Sequence, residues 1–197
     1  GETGNWGCHT LDIPYWALGL SHAKRVDLDI IPEASEIDSQ RTPKRMQTRL
    51  EFAASDDGKR PALSVHWWHG GPRKEIFSKY EAEQKMVLFV GEKGTISADF
   101  GGYTARMFDG SDPVVPVESI APSPGFHQEW IGAAKGGPRA TCDFVDYSGP
   151  LAEGVLLANA AWRSGGGFDW NAKAFKPTGN GKAEEFIHSE FREGWKL

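Results

Sequence analysis

The stretch Met46–Trp68, MQTRLEFAASDDGKRPALSVHWW, decides the fold because it predicts two strands joined by a turn. Its first part alternates apolar and polar side chains, with Met46, Thr48, Leu50 and Phe52 on one side. A two-residue period is typical of a strand that buries one face. Ser55–Lys59 is a strong turn signal, and Pro61–Trp68 supplies the partner strand. The stretch therefore predicts an antiparallel hairpin.

Working outward, the same reasoning predicts further strands and helices. We expect strands over 23–31, 86–90, 95–99, 103–108 and 168–171, and helices over 8–20 (kinked at Pro14), 126–135, 150–164 and 183–191. Residues 1–7 are predicted to form a loop. Segregated strands and helices predict an α+β fold, with an open, mostly antiparallel sheet and helices packed on one face. We expect a single domain over 1–197.

Charge and hydropathy exclude several classes of partner. The formal net charge is −5, which argues against binding along a phosphate backbone. No apolar run is long enough for a membrane helix. The chain opens Gly1-Glu2-Thr3-Gly4, without Met or the features of a signal peptide. We therefore expect a fragment or a processed product. We favour a cytoplasmic location because no signal is visible, but an export signal would lie in the missing N-terminus, so the compartment stays open.

Cysteine and tryptophan give weaker indications. Cys8 and Cys142 stand alone and match neither a disulfide framework nor a metal site, so we expect reduced, partly buried thiols. The chain has eight tryptophans. We expect most of them in the core, the alternative being surfaces that face sugars or another subunit.

The densest polar cluster is Gly4–Asp12, GNWGCHTLD. On a helix, His9 and Asp12 share a face, and a carboxylate beside an imidazole fixes its tautomer. Asn5 is suited to hydrogen-bond a substrate hydroxyl. By residue type alone, a His–Asp pair at a helix start more often has a structural role.

A second cluster is His66–His69, HWWH. On a strand, His66 and Trp68 share one face and Trp67 takes the other. We favour packing at the end of a sheet over an aromatic wall facing substrate, and we predict no metal site because no third ligand stands out. His22 and His188 are predicted to be surface residues.

The run GNWGCHTLDIPYWALGL over 4–20 resembles the Gly-Asp-x-Gly-x-His-x-x-Asp segment of the Gfo/Idh/MocA oxidoreductases. Three further segments resemble the family in the same order. They are the Gly91–Gly94 hairpin, the His127–Trp130 helix and the helix over 148–161.

The resemblance implies the C-terminal, substrate-side domain of an enzyme whose N-terminal Rossmann domain binds NAD or NADP. It implies sugars, inositols or related polyols as substrates. His9 would then assist proton transfer at the reacting hydroxyl. Asn5 and Asp12 would position substrate and imidazole, and Trp6 and His127 would line the pocket.

Two departures from the family pattern matter. Asn5 stands where the family usually has Asp, so Asn5 can orient a hydroxyl but cannot take its proton. The sequence also contains no Gly-x-Gly-x-x-Gly and no Glu-Lys-Pro motif. We therefore expect this chain alone to bind no NAD or NADP and to be inactive without a Rossmann domain.

Two alternatives stay open. One is a non-catalytic carbohydrate-binding or oligomerisation module, since the resemblance also implies a homo-oligomer formed through the sheet face. The other is half of a lyase or hydrolase that uses transient NAD oxidation.

Overall fold

A computed structural model describes residues 1–29, 31, 36–38, 40–70, 74–116 and 120–195. In chain order its elements are α1 (Glu2–Ala17), β1 (Arg25–Asp29), β2 (Met46–Phe52), β3 (Leu63–His69), α2 (Lys74–Lys79), β4 (Val87–Val90), β5 (Gly94–Asp99), β6 (Gly102–Met107), α3 (Phe126–Ala134), a π-helical turn (Phe144–Ser148), α4 (Gly149–Ser164), β7 (Phe168–Asn171), β8 (Lys176–Thr178) and a 3₁₀ turn (Ala183–Phe186). The chain forms two compact units. The first unit combines Gly1–Pro72 with Pro150–Leu197, and the second is Arg73–Gly149.

The first unit contains a five-stranded sheet in the order β3-β2-β1-β7-β8, with every pairing antiparallel. The predicted hairpin is confirmed as β2 and β3, with Met46 opposite His69 and Phe52 opposite Leu63. The predicted strand over 23–31 is observed at Arg25–Asp29, and residue 30 of the predicted range lies outside the described residues.

One face of this sheet carries the core. Alternate residues of β2 are buried as the sequence predicts, and Val26 and Phe168 are buried on the neighbouring strands. Helix α1 packs on this face, where the Tyr15 ring meets the Phe52 ring edge-on at 5.7 Å. An antiparallel sheet with helices on one face confirms the predicted α+β class.

Helix α1 is longer than predicted, so the predicted loop over residues 1–7 is wrong. It begins at Glu2 because Thr3, Gly7, Leu11, Pro14 and Tyr15 form one continuous buried stripe along it. Pro14 lies inside the helix and does not end it. The helix ends at Ala17, and Gly19, with a positive φ of 56°, permits a Schellman cap in which Leu20 N–H donates to the Tyr15 carbonyl at 2.9 Å.

Helices α1 and α4 approach closely at two glycines. A Cβ on Gly7 would lie 3.1 Å from a methyl group of Val155. A Cβ on Gly154 would lie 2.1 Å from the Tyr15 hydroxyl oxygen. Tyr15 is fully buried, so its ring occupies the space that a larger residue at position 154 would need.

The second unit contains a three-stranded antiparallel sheet in the order β4-β5-β6. The predicted tight turn after Val90 is confirmed, since Gly91 N–H donates to the Gly94 carbonyl at 2.9 Å. Helix α3 coincides closely with the predicted helix over 126–135. Helix α2 was not predicted, because its six residues are too few to show a period.

Three other expectations change. Four of the eight tryptophans are exposed, namely Trp6, Trp16, Trp130 and Trp195, so core packing does not account for most of them. Cys8 and Cys142 are free thiols, and both are exposed and not partly buried. The predicted last helix over 183–191 is a single 3₁₀ turn, Ala183–Phe186.

Within the described residues, no helix combines the length and apolar character needed to cross a bilayer.

Candidate functional site

Helix α1 brings four of the five predicted site residues to one exposed face. Its buried stripe faces the sheet, which leaves Asn5, Trp6, His9 and Asp12 on the opposite side, all exposed. The Trp6 side chain is 44% exposed, and its ring meets the His9 ring edge-on at 6.0 Å between centroids. An aromatic surface beside an imidazole, with amide and carboxylate groups on the same face, is suited to hold a hydroxyl-bearing ring and exchange a proton with it.

Buried hydrogen bonds anchor the N-terminus of α1 to the end of β3. The Thr3 hydroxyl oxygen accepts from Trp67 Nε1 at 3.0 Å and lies 2.7 Å from His69 Nδ1. The Glu2 carboxylate accepts from Gly70 N–H at 2.8 Å and lies 3.6 Å from His69 Nε2. This network holds the helix, and with it the exposed face that carries His9, in one orientation.

The network also assigns the His69 tautomer. Nε2 faces the acceptor-only Glu2 carboxylate, so Nε2 carries the proton and Nδ1 accepts from Thr3. Burial lowers the pKa of His69, and the nearby Glu2 carboxylate and a hydrogen bond with the Pro43 backbone oppose that shift only in part. His69 is therefore a neutral, structural histidine.

The His66–His69 cluster lies as predicted. Trp67 and His69 are buried on the core face, whereas His66 and Trp68 lie on the other face with nearly parallel rings, 6.0 Å apart at 20°. The described residues contain no group of three or more His, Cys, Asp or Glu side chains that could hold a metal ion.

The open face of the five-stranded sheet carries a network of ion pairs. Asp27 accepts from Arg25 Nε at 2.8 Å and from Arg49 Nη2 at 3.0 Å. Arg25 also pairs with Asp169 at 2.8 Å, and Arg49 with Glu51 at 2.8 Å. Burial opposes ionisation of Asp27, but the hydrogen bonds from both arginines outweigh it and lower the pKa of that carboxyl. This face is polar and its charges are internally matched.

Sequence reasoning missed a histidine–carboxylate pair. His22, predicted only as a surface residue, donates from Nδ1 to Glu153 Oε1 at 2.9 Å, joining the segment after α1 to α4. The Glu153 side chain is 10% exposed and the His22 side chain 48%. Because 131 residues separate the two in sequence, no local spacing could reveal the pair.

The fifth predicted site residue lies on the second unit. His127 is exposed in the first turn of α3, where its ring meets the Phe126 ring edge-on at 5.2 Å. Helix α3 buries none of its residues, and Phe126 is 86% exposed. The role of His127 in a pocket stays a prediction.

A surface pocket of about 410 Å³ lies in the first unit between the end of α1 and the β2–β3 turn. Its lining is Leu18, Gly19, Ser55, Asp56, Asp57, Lys59 and Arg60. None of the predicted site residues lines it, and its charged groups are loop side chains such as Lys59, which pairs with Asp57 at 3.2 Å. We assign no chemistry to this pocket.

The site of a nicotinamide nucleotide stays a prediction. A dinucleotide site needs a glycine-rich turn between a strand and the helix whose N-terminus meets the pyrophosphate. The sequence has no such motif, and the exposed face of α1 offers an imidazole and a carboxylate but no phosphate cradle. No family model, curated protein or solved structure matches this chain.

Proposed function

We propose that this chain is the substrate-side domain of a Gfo/Idh/MocA-type oxidoreductase that acts on a sugar, an inositol or a related polyol. The nicotinamide nucleotide, NAD or NADP, would be held by a Rossmann domain outside this sequence. The isolated chain would bind substrate weakly and would not turn it over.

The observation that carries the proposal is the exposed face of α1. Four residues of the family-like segment, Asn5, Trp6, His9 and Asp12, lie together on it although the fold needs none of them in its core. An exposed, partly aromatic helix face that also carries titratable groups suits binding. The antiparallel sheet with helices on one face is the architecture that the resemblance implies.

The chemistry assigned to this chain is proton handling. His9 would take the proton of the reacting hydroxyl and return it to solvent, with Asp12 fixing the imidazole. Asn5 would donate to or accept from a neighbouring hydroxyl, and Trp6 would stack against the apolar face of the ring. Asn5 cannot serve as a second base, so the loss of His9 should remove most of the rate.

The test is an oxidoreductase assay of the complete protein with a panel of sugars and inositols, following nicotinamide reduction. We expect His9→Asn to lower kcat by about 10²- to 10⁴-fold, the contribution typical of a positioned acid–base group. His188→Asn, at an exposed histidine near the C-terminus, is the matched control and should keep kcat within about twofold. Equal activity of His9→Asn and wild type would remove His9 from the mechanism.

Homo-oligomerisation through the open sheet face stays a prediction. The network of ion pairs among Arg25, Asp27 and Arg49 gives that face matched charges of both signs. Such a surface suits either water or a second polar face.

A further inference from the structure

We propose that His22 and Glu153 form a general-base site, distinct from the His9 face, that activates water toward small carboxylic esters. The inference is independent of the oxidoreductase proposal. It starts from hydrogen-bond geometry: Nδ1 of His22 lies 2.9 Å from Oε1 of Glu153. An ionised carboxylate only accepts, so Nδ1 carries the proton of the neutral ring and Nε2 keeps its lone pair.

Burial on one side and exposure on the other make this pair asymmetric. The Glu153 side chain is only 10% exposed, whereas 48% of the His22 side chain is open to solvent. Among the described residues, Nε2 of His22 has no hydrogen-bond partner. The shielded Glu153 carboxylate therefore orients the His22 ring through Nδ1, and about half of that side chain is open to solvent, the arrangement of a histidine base held by an acid.

The environment of Glu153 supports an active role for the carboxylate. The hydroxyl of Tyr15 is buried nearby and has no hydrogen-bond partner among the described residues. Burial, and then the negative charge of Glu153, raise the pKa of Tyr15. The Glu153 carboxylate is therefore the anionic neighbour of both the buried Tyr15 hydroxyl and the His22 ring.

The backbone segment that carries His22 is hydrogen-bonded at both ends. Leu20 N–H donates to the Tyr15 carbonyl at 2.9 Å and Lys24 N–H to the Glu51 carbonyl at 2.9 Å. One turn beyond Glu153 on α4, Leu156 is 64% exposed and offers an apolar surface for an acyl or aryl group.

The step is a balanced hydrolysis. The oxygen of a water molecule bonds to the ester carbonyl carbon while one of its protons passes to Nε2. The bond between the carbonyl carbon and the leaving oxygen then breaks. An alkoxide leaving group takes the proton from Nε2 and departs as an alcohol, whereas a stable phenolate departs unprotonated and the proton on Nε2 passes to solvent. The products are a carboxylic acid and an alcohol or phenolate, and the neutral ring is restored.

The experiment measures hydrolysis of p-nitrophenyl acetate by the full chain at pH 7.5. We expect His22→Asn and Glu153→Gln each to lower the second-order rate constant at least about tenfold, a conservative part of what a positioned base contributes. His188→Asn is matched because His188 also pairs with a glutamate, Glu184, at 3.4 Å but on a single exposed turn. It should leave the rate within about twofold.

A spectroscopic measurement keeps the proposal falsifiable if Glu153→Gln fails to fold. Nitrogen NMR of the wild-type chain at neutral pH should show His22 protonated at Nδ1 and unprotonated at Nε2. Wild-type hydrolysis no faster than that of His22→Asn, or a His22 ring protonated mainly at Nε2, would overturn the proposal.

Discussion

At the scale of single residues, the first unit depends on polar groups buried in its core. Thr3 is 1% exposed and joins α1 to β3 through Trp67 and His69. Such groups stabilise a fold only while every partner is present, because an unpaired buried donor or acceptor costs about 1–3 kcal/mol. Their long sequence separation, 64 to 66 residues, explains why sequence patterns did not reveal them.

His69 gives a prediction about pH. Its folded-state pKa is lowered from the ordinary 6.5, mainly by burial, so the unfolded chain takes up the proton first as the pH falls. Stability should therefore be unaffected by His69 above pH 6.5 and should fall as the pH drops below it. Denaturant unfolding between pH 7.5 and 5 should show a smaller slope of unfolding free energy against pH in His69→Gln than in wild type.

The exposed His188 supplies the control for this titration. His188→Gln is the matched control because it also replaces a histidine, but one that lies on the surface beside Glu184 and not in the core. If His69→Gln and wild type lose stability equally between pH 7 and 5, His69 is not the neutral buried group described above.

At the scale of elements, two-residue alternation predicted β2 and β3 because one face of each is buried and the turn between them is local. The extent of α1 could not be predicted in the same way. Gly4 and Gly7 suggest a loop, whereas the helix there is stabilised by contacts distant in sequence, such as Gly7 against Val155 of α4 and Thr3 with Trp67 of β3. The predicted residues Asn5, His9 and Asp12 do share a face, since that depends on helical spacing alone.

The α1–α4 contact predicts a coupled pair of substitutions. Gly154→Ala places a Cβ 2.1 Å from the Tyr15 hydroxyl oxygen, so overpacking should destabilise the chain by about 1–3 kcal/mol. Tyr15→Phe removes that oxygen, which has no described hydrogen-bond partner, and should change stability by less than about 1 kcal/mol. In the double variant much of the Gly154→Ala loss should be recovered.

Gly4→Ala is the matched control in the same unit. Gly4 also lies in a helix, but nothing stands within 4 Å of a Cβ built there. Denaturant unfolding should show it stabilised by up to about 1 kcal/mol, the usual gain for Gly to Ala in a helix. Strictly additive effects of Gly154→Ala and Tyr15→Phe would contradict the contact.

At the scale of the whole molecule, the two units differ in how much they bury. Among the described residues, the buried side chains of the second unit are Phe77, Thr95, Ser97 and Ala98, whereas the first unit buries a large set from α1, α4 and its sheet. Composition places the chain among ordinary globular proteins but cannot show this division. The division depends on which strands pair, and pairing is not local.

Hydrogen exchange should reveal the difference. Opening free energy follows buried apolar contact, so amides of β5, the central strand of the second unit, should exchange faster than those of β2 in the first. The measurement is exchange followed by mass spectrometry on peptides covering 46–52 and 94–99. Equal or greater protection of β5 would show that burial does not set the stability of the two units.

The oxidoreductase proposal is tested most directly by the full reading frame that encodes this sequence, together with the intact mass of its natural product. We predict a region ahead of Gly1 of about 100–150 residues, the size of one domain, containing Gly-x-Gly-x-x-Gly between a strand and a helix. A natural product that begins at Gly1, with no nucleotide-binding segment, would contradict the proposal and favour the non-catalytic binding module.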